Sequence, residues 1–293
     1  MARCAWCGSD LESRGERLAG RIRCPVCGVA TTDPWPTPEE LERAYADWYR
    51  PERGRFSGPG DALLRRSRGA LAGRLDQVAP SGRVLDVGAG DGTLVDALKG
   101  HGREALGIER HGGRSDIVDT DLAELSGEWA AVVFWHSLEH LPEPARALEQ
   151  AKRLLQPGGV LVVALPNAAS LQARAFGDNW LALDLPRHLV HVPAGALLDR
   201  LDELGLPVER VSYARGGQVL FGWVHGLVKL LPGGPDFYDA VRRPEARRRP
   251  MSPGRRAGTL ADGAAVLPLA ALCAATEVAA RRGGSVYVEA RRG

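Results

Sequence analysis

The sequence predicts an α/β fold. A doubly wound, mostly parallel sheet follows a small cysteine-rich ribbon and is interrupted by a helical insert before its last strand. Three observations predict it. Short, β-rich apolar runs alternate with helical runs over residues 81–215. Two Cys-x-x-Cys pairs stand within residues 1–36. Residues 216–284, of different character, separate the last two strand-like runs.

Residues 1–36 end in DPWPTP, a proline-rich stop, and form the first unit. Residues 37–80 read as two linker helices. The first starts at Thr37, with Pro38 at its first helical position and Glu39 and Glu40 in its first turn. The second covers Asp61 to Val78. The core is residues 81–215 completed by 285–293. Its strand-like runs are 83–88, 104–109, 130–135, 159–166, 207–214 and 285–292. Helices are expected over Thr93–Lys99, Pro144–Leu155 and Pro193–Leu204. Nearly continuous apolar strands between helices imply a sheet covered on both faces. The insert, 216–284, holds two apolar stretches, 218–231 and 261–280, around an Arg/Pro-rich stretch, 241–256.

Composition is that of an ordinary globular chain, 44% hydrophobic and 25% charged, and 293 residues suffice for a substantial core. A net charge of +2 is too mild to imply nucleic acid. Neither DNA nor RNA is expected as a partner. The N-terminus MARCAWCGSD has no apolar signal region, and no stretch is expected to reach bilayer-spanning length. A cytoplasmic, reducing setting fits the cysteines, with peripheral membrane contact as a further expectation.

Cys4 and Cys7 are separated from Cys24 and Cys27 by the spacing of a zinc ribbon, and each pair is followed by a glycine. Zn2+ takes four thiolates tetrahedrally, so a complete set leaves no position for substrate and the metal is structural. Loss of Cys24 is expected to release the metal and destabilise residues 1–36 without directly touching the site of chemistry. Cys273, in an apolar run, reads as a small hydrophobe.

The run from Val84 to Gly92, VLDVGAGDG, joins a strand to a helix at Thr93. Its glycines let a ligand approach the backbone, and the helix start offers free N–H groups. A dinucleotide fingerprint needs a third glycine where Thr93 stands. The strand instead carries Asp86, a carboxylate suited to a cationic ligand with a free amino group. Glu109 ends the next strand, where a carboxylate accepts two ribose hydroxyls. Asp121 and Leu122 follow a short third segment and suit an adenine.

These pieces, with FWHSLEHLPEPARALEQAKRLLQPGGVLVVALPN and LPRHLVHVP, resemble the class I S-adenosylmethionine-dependent methyltransferases. More narrowly, they resemble a bacterial branch with an N-terminal zinc ribbon and a Methyltransf_23-like core. The resemblance implies a seven-stranded sheet of order 3-2-1-4-5-7-6 with strand 7 antiparallel. It implies that Asp86, Gly88, Ala89 and Gly90 hold the methionine end of S-adenosyl-L-methionine. Glu109 then takes the ribose, and Asp121 and Leu122 the adenine. Trp135 and His136 line the cofactor and acceptor side. The RHGGRSDIVDT segment is too short for the helix usual there.

Transfer to a hydroxyl needs a base, and histidine suits neutral pH. The resemblance places the PRH-type loop over the acceptor pocket, which makes His188 the first candidate and His136 the second. His140 is expected to cap or pack the helix that follows it, and His188 to bond Asp184. His225 is expected on a helix face. A small-molecule or lipid-linked acceptor is expected. The insert, with Arg242, Arg243, Arg247, Arg248, Arg249, Arg255 and Arg256, is expected to act as a lid or to meet anionic headgroups. Two competing readings are an RNA methyltransferase that uses its ribbon to bind RNA and a non-catalytic cofactor-binding scaffold.

Overall fold

The computed structural model describes residues 3–46, 55–214 and 218–293. Residues 1–2 of the ribbon, 47–54 of the expected linker and 216–217 of the expected insert lie outside the described residues. Three short strands, β1 (Glu16–Leu18), β2 (Arg21–Arg23) and β3 (Ala30–Thr32), form the ribbon's antiparallel sheet. Helix α1 (Pro38–Ala44) begins as expected. Thr37 accepts from Glu40 N and Glu40 accepts from Thr37 N, a reciprocal cap. Helix α2 (Gly60–Val78) buries Leu71, Ala72 and Leu75.

The core follows as β4 (Val84–Val87), α3 (Thr93–Gly100), β5 (Ala105–Ile108), β6 (Ile117–Val118), β7 (Trp129–Trp135), α4 (Pro144–Leu154) and β8 (Leu155–Pro166), with only a 3-10 turn at Leu122–Glu124 between β6 and β7. Then come α5 (Leu171–Phe176), β9 (Val190–His191), α6 (Ala194–Glu203) and β10 (Val208–Ser212). Strand β6 has two residues, too few for an apolar run to reveal it. Strand β8 starts at Leu155 rather than 159, because the chain enters the sheet directly from α4.

The insert supplies α7 (Gln218–Lys229), α8 (Phe237–Val241) and α9 (Pro253–Ala279), and β11 (Ser285–Arg291) completes the sheet. Sheet order is β6-β5-β4-β7-β8-β11-β10, with β11 antiparallel to both neighbours. This is the order and polarity that the resemblance implies. Alternate residues of each central strand feed two apolar layers, Leu85, Val132 and Leu161 into one and Val84, Ala131 and Val160 into the other. Glu289 of β11, 1% exposed, takes two bonds from Arg74 of α2 at 2.9 and 2.7 Å and one from Tyr287 Oη at 2.6 Å. That pairing fastens the last strand to the helical layer.

The insert has its own apolar core. Val219, Trp223 and Val228 of α7 and Ala270 and Ala274 of α9 pack with Phe176, Trp180 and Leu183. Buried Glu277 accepts from Trp223 Nε1 (2.8 Å), Gln172 N (2.8 Å) and Gln172 Nε2 (2.9 Å). Cys273 is partly buried against this core, as a small hydrophobe.

Two expectations for the insert change. The arginines do not form one basic face. Arg242 is fully buried with its guanidinium 5.0 Å from the Tyr238 ring centre, and Arg248 pairs with Asp184 at 2.8 Å. Arg247 and Arg256 donate to the carbonyls of Arg242 and Ala240. Secondly, α9 is long and apolar enough to cross a membrane by length and composition, with a mean hydropathy of 1.5 over 18 residues. Alanines and glycines between its leucines had hidden this. Leu267, Leu269 and Leu272 of α9 are 46%, 52% and 65% exposed.

His225 lies buried in α7, and its Nδ1 accepts from Tyr238 N at 3.2 Å. Burial lowers its pKa from 6.5 to about 4, with Asp236 opposing. The unfolded chain therefore binds this proton in a window where the folded chain does not. Stability from this site is complete above about pH 6.5 and is lost as pH falls toward 4. Denaturant unfolding across that window should show a loss of about 1–3 kcal/mol. His225→Gln, which keeps an acceptor but no titration, should flatten the slope; an unchanged slope would contradict the assignment.

Candidate active site

The carboxyl ends of β4, β5 and β7 lie side by side in a parallel array, the edge where open α/β sheets receive ligands. The chain leaves β4 in a turn whose glycines take left-handed conformations: φ is +81° at Gly88 and +65° at Gly90. A Cβ on Gly88 would stand 2.4 Å from Ser137 Cβ, so only glycine lets the two turns touch. Gly88 N and Ala89 N donate to Ile108 O. Asp91 then accepts from Thr93 N at 3.1 Å at the start of α3. Glu109 Oε2 accepts from Gly90 N at 2.7 Å, which brings the end of β5 onto the glycine turn.

Asp86 is 3% exposed. Burial pushes its carboxyl up to about 7, although Arg68 pulls the other way. A buried carboxyl this short of compensation suits a cationic ligand, and an ammonium or sulfonium group meets that need. Arg68, on α2, faces Asp86 and Asp91 and lies 4.9 Å from the Trp135 ring centre. Nothing in the sequence distinguished it from its neighbouring arginines. Trp135 also packs edge-on against Tyr287 and His136. Thus Asp86, Gly88, Ala89, Gly90, Glu109, Trp135 and His136 share one edge. Asp121 is exposed and caps Ala123 N at 2.7 Å, while Leu122 is buried beside Ile108. The segment 109–116 contains no helix, as its length implies.

Beyond β7 the chain turns through His136, a non-glycine residue at φ +54°. Such a conformation persists where its surroundings enforce it, commonly at working sites. His136 Nδ1 is 3.6 Å from Glu139 Oε1, and His188 Nε2 is 3.9 Å from the same oxygen. Glu139 is 2% exposed, and neither carboxylate oxygen has a hydrogen-bond partner. Burial alone would raise its pKa. His136, His140 and His188 outweigh that and hold it at about 2. The sequence showed Glu139 only as the residue between two histidines; its burial reveals it as their common centre.

The histidines depart in part from expectation. His140 lies in the turn Leu138–His140 that contacts α4 but does not cap that helix; its Nδ1 lies 2.8 Å from both Arg187 O and Tyr45 Oη. The hydrogen bond of His188 goes to Ala182 O at 2.8 Å, with Asp184 Oδ2 farther away at 3.8 Å. Asp184 instead takes Arg187 and Arg248.

The four ribbon sulfurs lie within 4.8 Å of one another, with Cys4–Cys27 and Cys7–Cys24 both at 3.6 Å. That spacing is close to the edge of a tetrahedron with Zn–S bonds of about 2.3 Å. The two knuckles match: Gly8 N bonds Cys4 O, and Gly28 N bonds Cys24 O. The ribbon does not stand apart, contrary to expectation. Its strand β3 pairs with β9, within the loop that carries His188 and His191. Thr32 N donates to Leu189 O at 2.9 Å and Thr32 Oγ1 to His188 O at 2.7 Å. An edge strand with free amides and carbonyls has found its partner in that loop.

Comparison with known proteins places this edge in context. "Ubiquinone biosynthesis O-methyltransferase" of Xanthomonas oryzae pv. oryzae is 30% identical over 141 residues, 41% of this chain and 58% of that protein. The protein of that name from Xylella fastidiosa is 32% identical over 157 residues, 45% of this chain and 64% of its own. The chain thus spans somewhat under two thirds of these relatives. A SAM dependent methyltransferase from Archaeoglobus fulgidus superposes with a TM-score of 0.45 at 18% identity, covering 77% of this chain and 94% of that one. The family profile described as "Methyltransferase domain" matches residues 61–211, just over half of the chain and the whole of the glycine-turn edge. With that edge assembled as described, the chain belongs to the methyltransferase domain family.

Proposed function

We propose that the chain transfers the methyl group of S-adenosylmethionine to a hydroxyl of a small-molecule or lipid-type acceptor. One observation carries the reading. A histidine-ringed buried carboxylate, Glu139, stands two residues beyond Ser137, whose side chain packs closely on Gly88 of the glycine turn. The O-methyltransferase names of the relatives agree with a hydroxyl acceptor.

In this reading Asp86 and the Gly88–Gly90 backbone hold the methionine end of the donor. Arg68 meets its carboxylate, Glu109 the ribose, and Asp121 with Leu122 the adenine. The donor supplies an activated methyl group for in-line displacement, so the protein's work is positioning and proton removal. His136 is one residue from Ser137 and takes the acceptor proton; Glu139 stabilises the imidazolium that results. His188, the first candidate from sequence, approaches the same Glu139 oxygen, with its Nε2 at 3.9 Å, and lines the acceptor side. The ribbon holds structural Zn2+ through Cys4, Cys7, Cys24 and Cys27. The exposed leucines of α9 rest at a membrane surface, where a lipid-type acceptor is met.

Glu109→Ala should weaken binding of S-adenosylhomocysteine by about 1–3 kcal/mol by calorimetry, since two ribose hydroxyls lose their acceptor. Equal affinity would remove Glu109 from the ribose site. Cys24→Ser should release zinc and, through β3 and β9, shift the His188 and His191 ring resonances. Unshifted resonances in zinc-free protein would break that link. Co-sedimentation with anionic vesicles should drop when Leu269 and Leu272 are both changed to Ser; no binding by the unaltered chain would end the membrane reading.

A further inference from the structure

A carboxylate buried without a hydrogen bond is costly, and native proteins rarely keep one unless something absent completes it. Glu139 is such a group: both oxygens are buried and neither has a donor. The histidine nitrogens facing it stand outside bonding range, His136 Nδ1 at 3.6 Å and His188 Nε2 at 3.9 Å. His188 Nδ1 lies 2.8 Å from Ala182 O, which can only accept, so the proton sits on Nδ1. Nε2 is left as a lone pair, 3.9 Å from Glu139 Oε1. His140 Nδ1 lies 2.8 Å from both Arg187 O and Tyr45 Oη; the carbonyl can only accept, so the proton is again assigned to Nδ1 and the lone pair to Nε2. Histidine held by Nδ1–H to a backbone carbonyl, with Nε2 free, is the usual outer-shell arrangement of a metal ligand.

One donor atom each from Glu139, His140 and His188 lies within 4.8 Å of the others. An ion at about 2.0–2.2 Å from each requires them to draw in by about 1 Å. We infer that Glu139, His140 and His188 form a second metal site, distinct from the ribbon, for a divalent transition ion such as Zn2+, Co2+ or Mn2+. Two imidazoles and one carboxylate form a three-ligand set that leaves positions open, unlike the closed four-thiolate ribbon. His136 Nδ1, 3.6 Å from Glu139, and the Gly88–Ser137 contact place the open side toward the donor turn. Among the described residues the other polar neighbours include Tyr45, whose Oη is 2.8 Å from His140 Nδ1, Asp184, 3.8 Å from His188 Nε2 and paired with Arg187 and Arg248, and His191, whose ring centre is 6.4 Å from that of His188.

The role of the ion rests on the proposed reaction: it would hold the acceptor oxygen and ease loss of its proton, with His136 as the receiving base. The site itself does not depend on that reading, and the test separates the two. The full chain, with ribbon zinc in place, is titrated with Co2+ and monitored by visible absorption and by histidine ring resonances. Expected is a further equivalent of cobalt with ligand-field bands, no sulfur charge-transfer band, and paramagnetic shifts at His140 and His188. His188→Ala and, independently, Glu139→Gln should weaken this binding by more than about 100-fold, beyond the loss typical of an outer-shell change. S-adenosylhomocysteine affinity, measured alongside, reports that the donor half is folded. No cobalt bound beyond the ribbon, or equal binding by both variants in folded protein, would overturn the site. Cobalt bound as described by a chain that never transfers methyl groups would leave the site standing and remove the proposed reaction.

Discussion

Leu189 joins three parts of the molecule through its own peptide groups. Its carbonyl accepts from Thr32 N of the ribbon and its N–H donates to Glu139 O in the turn after β7, both at 2.9 Å. Neither bond involves a side chain, so no substitution at Leu189 except proline removes the donor. The line they form fixes the distance between the ribbon, the loop 177–193 and the buried carboxylate. The histidine cluster around Glu139 takes its position from that line: His188 precedes Leu189, His191 lies two residues beyond, and Glu139 faces both.

The same loop is gripped from the other flank. Arg248 of the insert reaches Asp184, and Trp180 and Leu183 are buried in the insert's own core. The glycine-turn edge is built differently. Its residues sit on strands of the central sheet, where burial on both faces leaves little freedom, and its shape comes from glycine conformations in one turn. The molecule thus separates a glycine-turn edge made by the shared fold from a histidine–carboxylate cluster made where ribbon, loop and insert meet. The ribbon's Trp6, Leu11 and Ile22 even join the main apolar core, so it is no appended module.

That division explains what the sequence made legible. Strands such as β7 are apolar runs that announce themselves, and the turn 84–92 carries its function in residue order. Cysteine spacing revealed the ribbon because metal geometry demands it. Side-chain partnerships across distant segments left no local trace. Arg68 looked like one more arginine of α2, and Glu139 like a spacer between histidines. The pairing of β3 with β9 joins two- and three-residue strands, too short for any periodicity to show. The arginines of 241–256 misled because a run of charge reads as solvated surface, whereas Arg242 is fully buried against Tyr238.

Strand β11 has a consequence for how the chain is made. It pairs along its full length with β8, from Ser285 against Pro166 to Arg291 against Val160, and nowhere else does β8 find a second neighbour apart from β7. During synthesis the parallel half of the sheet is complete long before β11 leaves the ribosome. Throughout that interval an apolar strand presents open amides and carbonyls, the feature that invites pairing with another chain. The insert is translated in the same interval, and its docking on α5 lies next to the vacant edge. Growth of an insert at this point in the fold therefore lengthens the most vulnerable stage of the protein's own birth.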